Sequence, residues 1–360
     1  MTETLSKNVV SRIDSIDYLR GLAALSILAY HMYLFNFGEV DSSSILGKFK
    51  IYGVSIFYIL SGITLYVVYK DRLHLKKKDL LEFYIKRFFR LVPLLWLVTL
   101  LTVLLQYNPE IMSLKKIILN ITVLPGAIKP EGFIASGAWS IGNEIFFYLF
   151  FPFMIFLIRF KRPFIFLFLA AALGFLIYFT FYVLDPAVPL GFQWSAYVNP
   201  LGQFFYFITG IALGILGKYI PQRKLVYLLF FGLFFFLFAY YHVQGEPVML
   251  VTGVARMVLS AYVVLLCLFF YKTDFSGFAP VLKTCMQFLG NISYSLYLLH
   301  PIVYFVVKTS LGMAGIESIS VVISCTVVFS LFFAYLSYVF VEQTFIEIGK
   351  RFVKRIGYKV

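Results

Sequence analysis

The first strongly apolar stretch of the chain, LRGLAALSILAYHMYLF, holds two residues that hydrocarbon does not tolerate idly, Arg20 at its start and His31 deep inside. An arginine in a membrane span costs about 2.5–3.5 kcal/mol on insertion scales, so such residues face cavities and carry tasks. The two are eleven residues apart. On an α-helix that is about 1100°, or three turns plus roughly 20°, which places both on one face about 16 Å apart along the axis. One is a permanent cation and the other a proton-transfer group.

Other ionisable residues fall at comparable depth. Counting about 1.5 Å per residue from Asp17, His31 lies about 21 Å from the N-terminal side of the membrane. Glu144, in a span running the opposite way from Ala138, lies roughly 9 Å below the other face of a ~30 Å core, so its level coincides with that of His31. A carboxylate there would orient the ring, fix its tautomer and stabilise the imidazolium. His300 is the competing base at similar depth, and Pro301 beside it removes a backbone donor and favours a kink. Arg256 is open between pairing with an acid and lining a cavity. Arg87 and Arg90, three residues apart in KRFFRLVP, are neighbours on one helical face, and two guanidiniums presented together suit a phosphate or pyrophosphate.

The elements that must position these groups are membrane helices. The chain is 61% hydrophobic, with 43 Phe, 26 Tyr and only 13% charged residues, against roughly 25% charged in an average soluble domain. Ten apolar runs of spanning length are expected, at about 17–36, 50–69, 91–107, 138–158, 164–184, 198–217, 225–242, 249–271, 287–308 and 318–346. The expected fold class is therefore all-α integral membrane, one domain over 1–360, with a helical core of about 17–346 and a basic tail at 347–360. Most of the remaining Lys and Arg, including Lys70, Arg72, Lys76, Lys77, Lys78, Lys86, Arg159, Lys161, Arg162 and the tail, share a side with the N-terminus, which predicts cytoplasmic termini. The net charge of +14 is then a topology signal and requires no nucleic-acid partner.

Cys267, Cys285 and Cys325 have no pairing or metal-site spacing, so neither disulfides nor a metal is expected. The polar N-terminus lacks the order of a removable signal peptide. Two connections are long. One, at 71–90, is predicted to be a partly helical amphipathic segment on the cytoplasmic side. The other, at about 106–137, is predicted to be an exterior piece with a re-entrant element and a Pro- and Gly-rich loop.

Six segments in register resemble the acyltransferase-3 family of bacterial multispanning membrane O-acyltransferases. IDYLRGLAALSILAYH resembles its opening motif, with Asp17, Arg20, Gly21 and His31. GVSIFYILSG resembles the second-span motif, and FYIKRFFRLVPLLW the arginine-pair motif, with Arg87, Arg90, Pro93 and Trp96. WSIGNEIFFYLFFP, LGNISYSLYLLHP and SYVFVEQTF resemble the later ones, with Ser293, Tyr294, Tyr297, His300 and Glu342 in place. Some members carry a fused exterior domain; the chain ends soon after its last expected span, so none is expected here.

The resemblance implies transfer of an acyl group, most often acetyl from acetyl-coenzyme A or another acyl-CoA, to a hydroxyl of a surface polysaccharide, a lipid-linked glycan or a small hydroxylated acceptor. It places the chain as a multi-pass protein of the bacterial plasma (inner) membrane and leaves a homodimer open. His31 is then the general base, helped by Glu144, or carries the acyl group itself. Arg87 and Arg90 would hold coenzyme A phosphates. Arg20 would neutralise charge along the path, steadied by Asp17. Trp139, Ser140, Asn143, Tyr148 and Tyr297 join His300 as residues that line the cavity or hydrogen-bond the thioester. A rival reading is a transporter or flippase moving a glycan or lipid without chemistry.

Overall fold

The computed structural model describes residues 13–110, 112–123 and 125–357, so the extreme termini of the expected domain and tail lie outside the described residues. In chain order the α-helices are α1 (Asp14–Phe37), α2 (Ile45–Tyr69), α3 (Lys77–Gln106), α4 (Leu114–Ile121), α5 (Pro125–Ile128), α6 (Ala138–Phe160), α7 (Phe164–Tyr178), α8 (Trp194–Tyr197), α9 (Pro200–Leu216), α10 (Leu225–Tyr240), α11 (Gly253–Lys272), α12 (Pro280–Met313), α13 (Ile319–Ser337) and α14 (Gln343–Gly357). Each of the ten expected spans overlaps one of these helices. Among the described residues, seven are long and apolar enough to cross a membrane unaided, and the bent pair 190–197 with Pro200–Leu216 makes an eighth candidate.

One expectation about the connections is refined. The segment at 71–90 is not a separate piece: from Lys77 it is the first half of α3, which runs unbroken through Pro93 to Gln106. Likewise α12 continues through Pro301. Proline removes one hydrogen bond, and neighbouring helices hold the rest of the turn in place. The connection at about 106–137 is as irregular as expected. It contains α4, α5 and a 3₁₀ turn at Pro130–Gly132, folded back so that Gly126 packs on the backbone of Gly142 in α6.

The core is built around α1 and α12, with α2 against α1 and α9, and α13 against α12. Glycine sets the central crossing. A Cβ on Gly21 would stand 2.8 Å from the Gly290 nitrogen, and one on Gly290 would stand 2.4 Å from the Asp17 carbonyl oxygen. Small residues at such a contact let two backbones approach closely. The helices then run parallel, and Tyr304 Oη reaches the Phe35 carbonyl at 3.0 Å near their far ends.

Three buried cations pin helix ends together. Lys48 Nζ donates to the carbonyls of Ser43 and Ala239, and Lys272 Nζ to that of Gly217. Arg256 donates to Val251 and Gly202 at 3.2 and 3.1 Å. This settles the open question about Arg256: its hydrogen bonds go to backbone oxygens, and it lines neither of the two central cavities.

Candidate active site

His31 lies ten residues beyond Gly21, and His300 ten residues beyond Gly290. Equal rise and equal rotation from one crossing bring both rings to the same height on facing sides. They meet there, with His31 Nδ1 2.9 Å from His300 Nε2. The protons follow from the partners. His300 Nδ1 is 2.8 Å from the Leu296 carbonyl oxygen. A carbonyl only accepts, so Nδ1 carries the hydrogen and Nε2 of neutral His300 is an acceptor. His31 Nδ1 must then donate to it, which leaves the lone pair on His31 Nε2.

The arginines gather in a different place. An inner cavity of about 100 Å³ is lined by Arg20, Arg87 and Arg90 together with Ser61, Thr64, Ser140, Glu144, Tyr148, Tyr294 and Tyr297. Arg20 donates to Thr64 Oγ1 at 3.3 Å and stands 4.0 Å from Asp17. Arg87 donates to Tyr69 Oη at 3.1 Å and lies over the rings of Tyr69, Phe83 and Tyr148, while its Nε is buried without a hydrogen-bond partner. Arg90 is 3.3 Å from the carboxylate of Glu342, whose side chain is fully buried and also accepts from Ser295 at 2.5 Å. Glu342 reaches this point because the chain between α13 and α14 makes a π-turn, Tyr338–Glu342, which rotates the following side chains. Glu144 lies against Ser61 and Tyr148, within reach of the charges of Arg20 and Arg87.

An outer cavity of about 420 Å³ lies toward the opposite end, lined by His31 with Tyr30, Glu39, Lys50, Glu131, Trp139 and Trp194. Lys50 pairs with Glu39 at 2.7 Å and sits over the Tyr30 ring. Trp139 and Trp194 meet edge to face with centroids 5.8 Å apart.

Glu144 therefore does not orient His31, contrary to the depth estimate; His300 occupies that position. The cause is the starting height of α6. Its N-cap residue, Gly137, accepts a 3.0 Å hydrogen bond from Tyr297 Oη. Tyr297 lies one turn below His300, so α6 begins beneath the histidines and is roofed by residues lining the outer cavity, Pro130 to Ser136. Glu144 is two turns deeper still, roughly 15 Å below the histidine pair at about 1.5 Å per residue.

Of the other candidates, Arg20, Arg87, Arg90, Ser140 and Tyr148 converge on the inner cavity, and Trp139 on the outer. Asp17 and His300 stand behind the lining, each touching a residue of it. Asn143 does not enter either cavity: it is fully buried, and its side-chain nitrogen donates to the Val198 carbonyl at 3.0 Å, tying α6 to the turn before α9. Residue-by-residue reading passed over Ser61, Thr64, Lys50 and Trp194. Ser61 alone carried a signal, inside GVSIFYILSG.

Fold and site together define a polytopic all-α membrane protein with an arginine-lined cavity at one level and a histidine pair at another. The chain belongs to the acyltransferase-3 family: the model for that acyltransferase domain matches residues 13–339. It is 25% identical over 335 residues to the peptidoglycan O-acetyltransferase OatA of Listeria monocytogenes, an alignment covering 81% of this chain and 49% of that protein. The chain thus spans about half the length of this curated relative. No solved structure matches it.

Proposed function

We propose that the chain is an O-acyltransferase of the bacterial plasma membrane, taking an acyl group, acetyl in the first instance, from cytosolic acyl-coenzyme A to a hydroxyl of a surface glycan. The observation that carries this reading is that His31, with His300 bonded to its Nδ1, lines one cavity while three arginines line another that shares Val54 and Tyr297 with it. The relative named for peptidoglycan O-acetylation supports a glycan acceptor. By the positive-inside rule the arginine end faces the cytoplasm.

The arginine cavity fits an anionic donor on its own evidence. Arg90 is about one-third exposed at 32%, so it stands where the cavity meets solvent. Arg87 lines the same cavity, and its buried Nε has no partner, so a phosphate that reaches the guanidinium would meet a donor left for a charge-assisted hydrogen bond. At about 100 Å³ the cavity is narrow, suiting the thin acyl-thioester arm and leaving the nucleotide at the mouth. The outer cavity, at about 420 Å³, lies within the ~300–1,000 Å³ of ordinary ligand pockets. Its tryptophans offer a face to a sugar ring and its carboxylates accept from sugar hydroxyls.

Transfer then needs one base. His31 Nε2 takes the acceptor hydroxyl proton as that oxygen attacks the thioester carbonyl; the carbon–oxygen bond forms, the carbon–sulfur bond breaks, and the thiolate leaves and is protonated. His300 holds the tautomer and shares the imidazolium charge. In the covalent variant His31 Nε2 itself attacks and passes the acyl group on in a second step. The test supplies acetyl-coenzyme A with an isotope-labelled acetyl group to membranes carrying the protein, with mass spectrometry of the surface glycans. Labelled acetyl on a glycan hydroxyl, lost in His31→Ala at equal protein level, is the expected result. Label transfer by His31→Ala at the native rate refutes the assignment.

A further inference from the structure

The donor and acceptor cavities do not join freely. Two residues, Val54 and Tyr297, line both. Tyr297 is the larger barrier and is buried between them. Along α12 it follows Ser293 and Tyr294 of the inner cavity by about one turn and precedes His300, the partner of His31, by another, so it lies at the level between the two linings.

Its position is latched. Tyr297 Oη is 2.9 Å from Ser140 Oγ and donates to the Gly137 carbonyl at 3.0 Å, while the ring packs on Phe57 with centroids 5.9 Å apart. Gly137 has φ +76°, and a Cβ there would stand 2.9 Å from Tyr297 Oη, so the left-handed glycine makes the space for the latch. The turn that carries it lacks one backbone hydrogen bond. Pro301, four residues on, has no N–H for the Tyr297 carbonyl. A thioester whose phosphates are held by Arg87 and Arg90 would stop at this ring, short of His31.

We infer that Tyr297 is a positioning residue that partitions the two cavities, latched to Gly137 and Ser140 until it swings aside to let the acyl group reach His31. The inference rests on the acyl-transfer reading for its purpose, and on the cavity linings for its existence. Its benefit is chemical. With the partition lost, a water molecule entering from the outer cavity can attack the thioester carbonyl in place of the acceptor; the carbon–sulfur bond breaks, and acetate and coenzyme A thiol are released without transfer. Keeping water from a reactive group is a recognised role of closing elements.

Two measurements test it. The first reads the barrier alone. In Ser61→Cys, the new thiol lies in the inner cavity, and a small charged methanethiosulfonate reagent is applied from the exterior face only, with modification mapped by peptide mass spectrometry. Labelling is expected to be about tenfold or more faster when Tyr297→Ala is added, because the water path opens. Equal rates with and without Tyr297→Ala overturn the partition. The second compares acetyl-coenzyme A hydrolysis with transfer. Tyr297→Ala is expected to raise the hydrolysis-to-transfer ratio, and Tyr297→Phe, which keeps the ring and loses the latch, to raise it less. An unchanged ratio in both variants overturns the inference even if transfer falls. A wild-type protein that neither hydrolyses acetyl-coenzyme A nor transfers from it removes the acyl-transfer reading, while the labelling result still decides the partition.

Discussion

Replacing His300 separates the base from its support, and the size of the effect follows from two hydrogen bonds. In the native arrangement His300 accepts from His31 Nδ1 at 2.9 Å and donates to Leu296 at 2.8 Å. Removing the acceptor in His300→Ala withdraws one neutral hydrogen bond from the productive tautomer of His31. Such a bond is worth about 0.5–1.5 kcal/mol net, or a factor of about 2–12 in tautomer population. Glutamine can place its side-chain oxygen near the Nε2 position, so His300→Gln is expected to stay within about threefold of wild type, and His300→Ala to fall by about tenfold or less. His31→Ala, by contrast, removes a general base, a loss of about 10²–10⁴-fold. The assay is initial-rate transfer of labelled acetyl in membranes at matched protein level, with kcat and apparent KM separated. A fall of a hundredfold or more in His300→Ala, with His31→Ala within tenfold of wild type, refutes the reasoning and makes His300 the base.

Arg87→Ala is expected to raise the apparent KM for acetyl-coenzyme A by about tenfold or more, since hydrogen bonds to charged groups are worth about 1.5–3 kcal/mol; an unchanged KM reduces Arg87 to a marker of the cytoplasmic side. Arg90→Ala is expected to act on stability as well, because it strands the buried Glu342 carboxylate, at a cost of up to about 3 kcal/mol tempered by the exposure of Arg90. Adding Glu342→Gln should recover most of that loss in detergent melting curves, and a double variant no more stable than Arg90→Ala argues against the pair. Gly137→Ala places a Cβ at φ +76° and against the Tyr297 hydroxyl. Backbone strain alone costs about 1–2 kcal/mol, so a lower melting temperature is expected, and a wild-type melting curve would show that the turn relaxes.

The legible parts were local ones. Apolar runs and basic clusters marked the helices, and the mouth arginines stood out because two guanidiniums at a three-residue spacing share a face wherever the helix goes. Arg20 and Asp17 were also readable as neighbours, being i and i+3 on α1. Illegible were the places where a helix starts in depth. Nothing in residues 106–137 shows that α6 begins beneath a roof of loop, and that recess alone moves Glu144 from the histidine level to the arginine level. The segment at 71–90 was expected to be partly helical, but its continuity with the next span was missed for a related reason: polar residues read as a connection, yet α14 packs beside that segment and supports it as one helix through 77–106.

The sequence by itself determined that this is an all-helical membrane protein of the acyltransferase-3 family, with most of its Lys and Arg in the connections of one side and a histidine at depth. Those properties depend on residue type and on spacing within one helix, where rise and rotation are fixed. The tertiary structure decided who meets whom. His31 finds His300 across 269 positions of chain because two glycines let α1 and α12 cross closely and both histidines lie ten residues past the crossing. Glu342 finds Arg90 through a π-turn, and Tyr297 lines two cavities while a glycine carbonyl at the recessed start of α6 holds its hydroxyl. Depth is a single coordinate. Partnership also needs azimuth and tilt, and these are set only when helices pack.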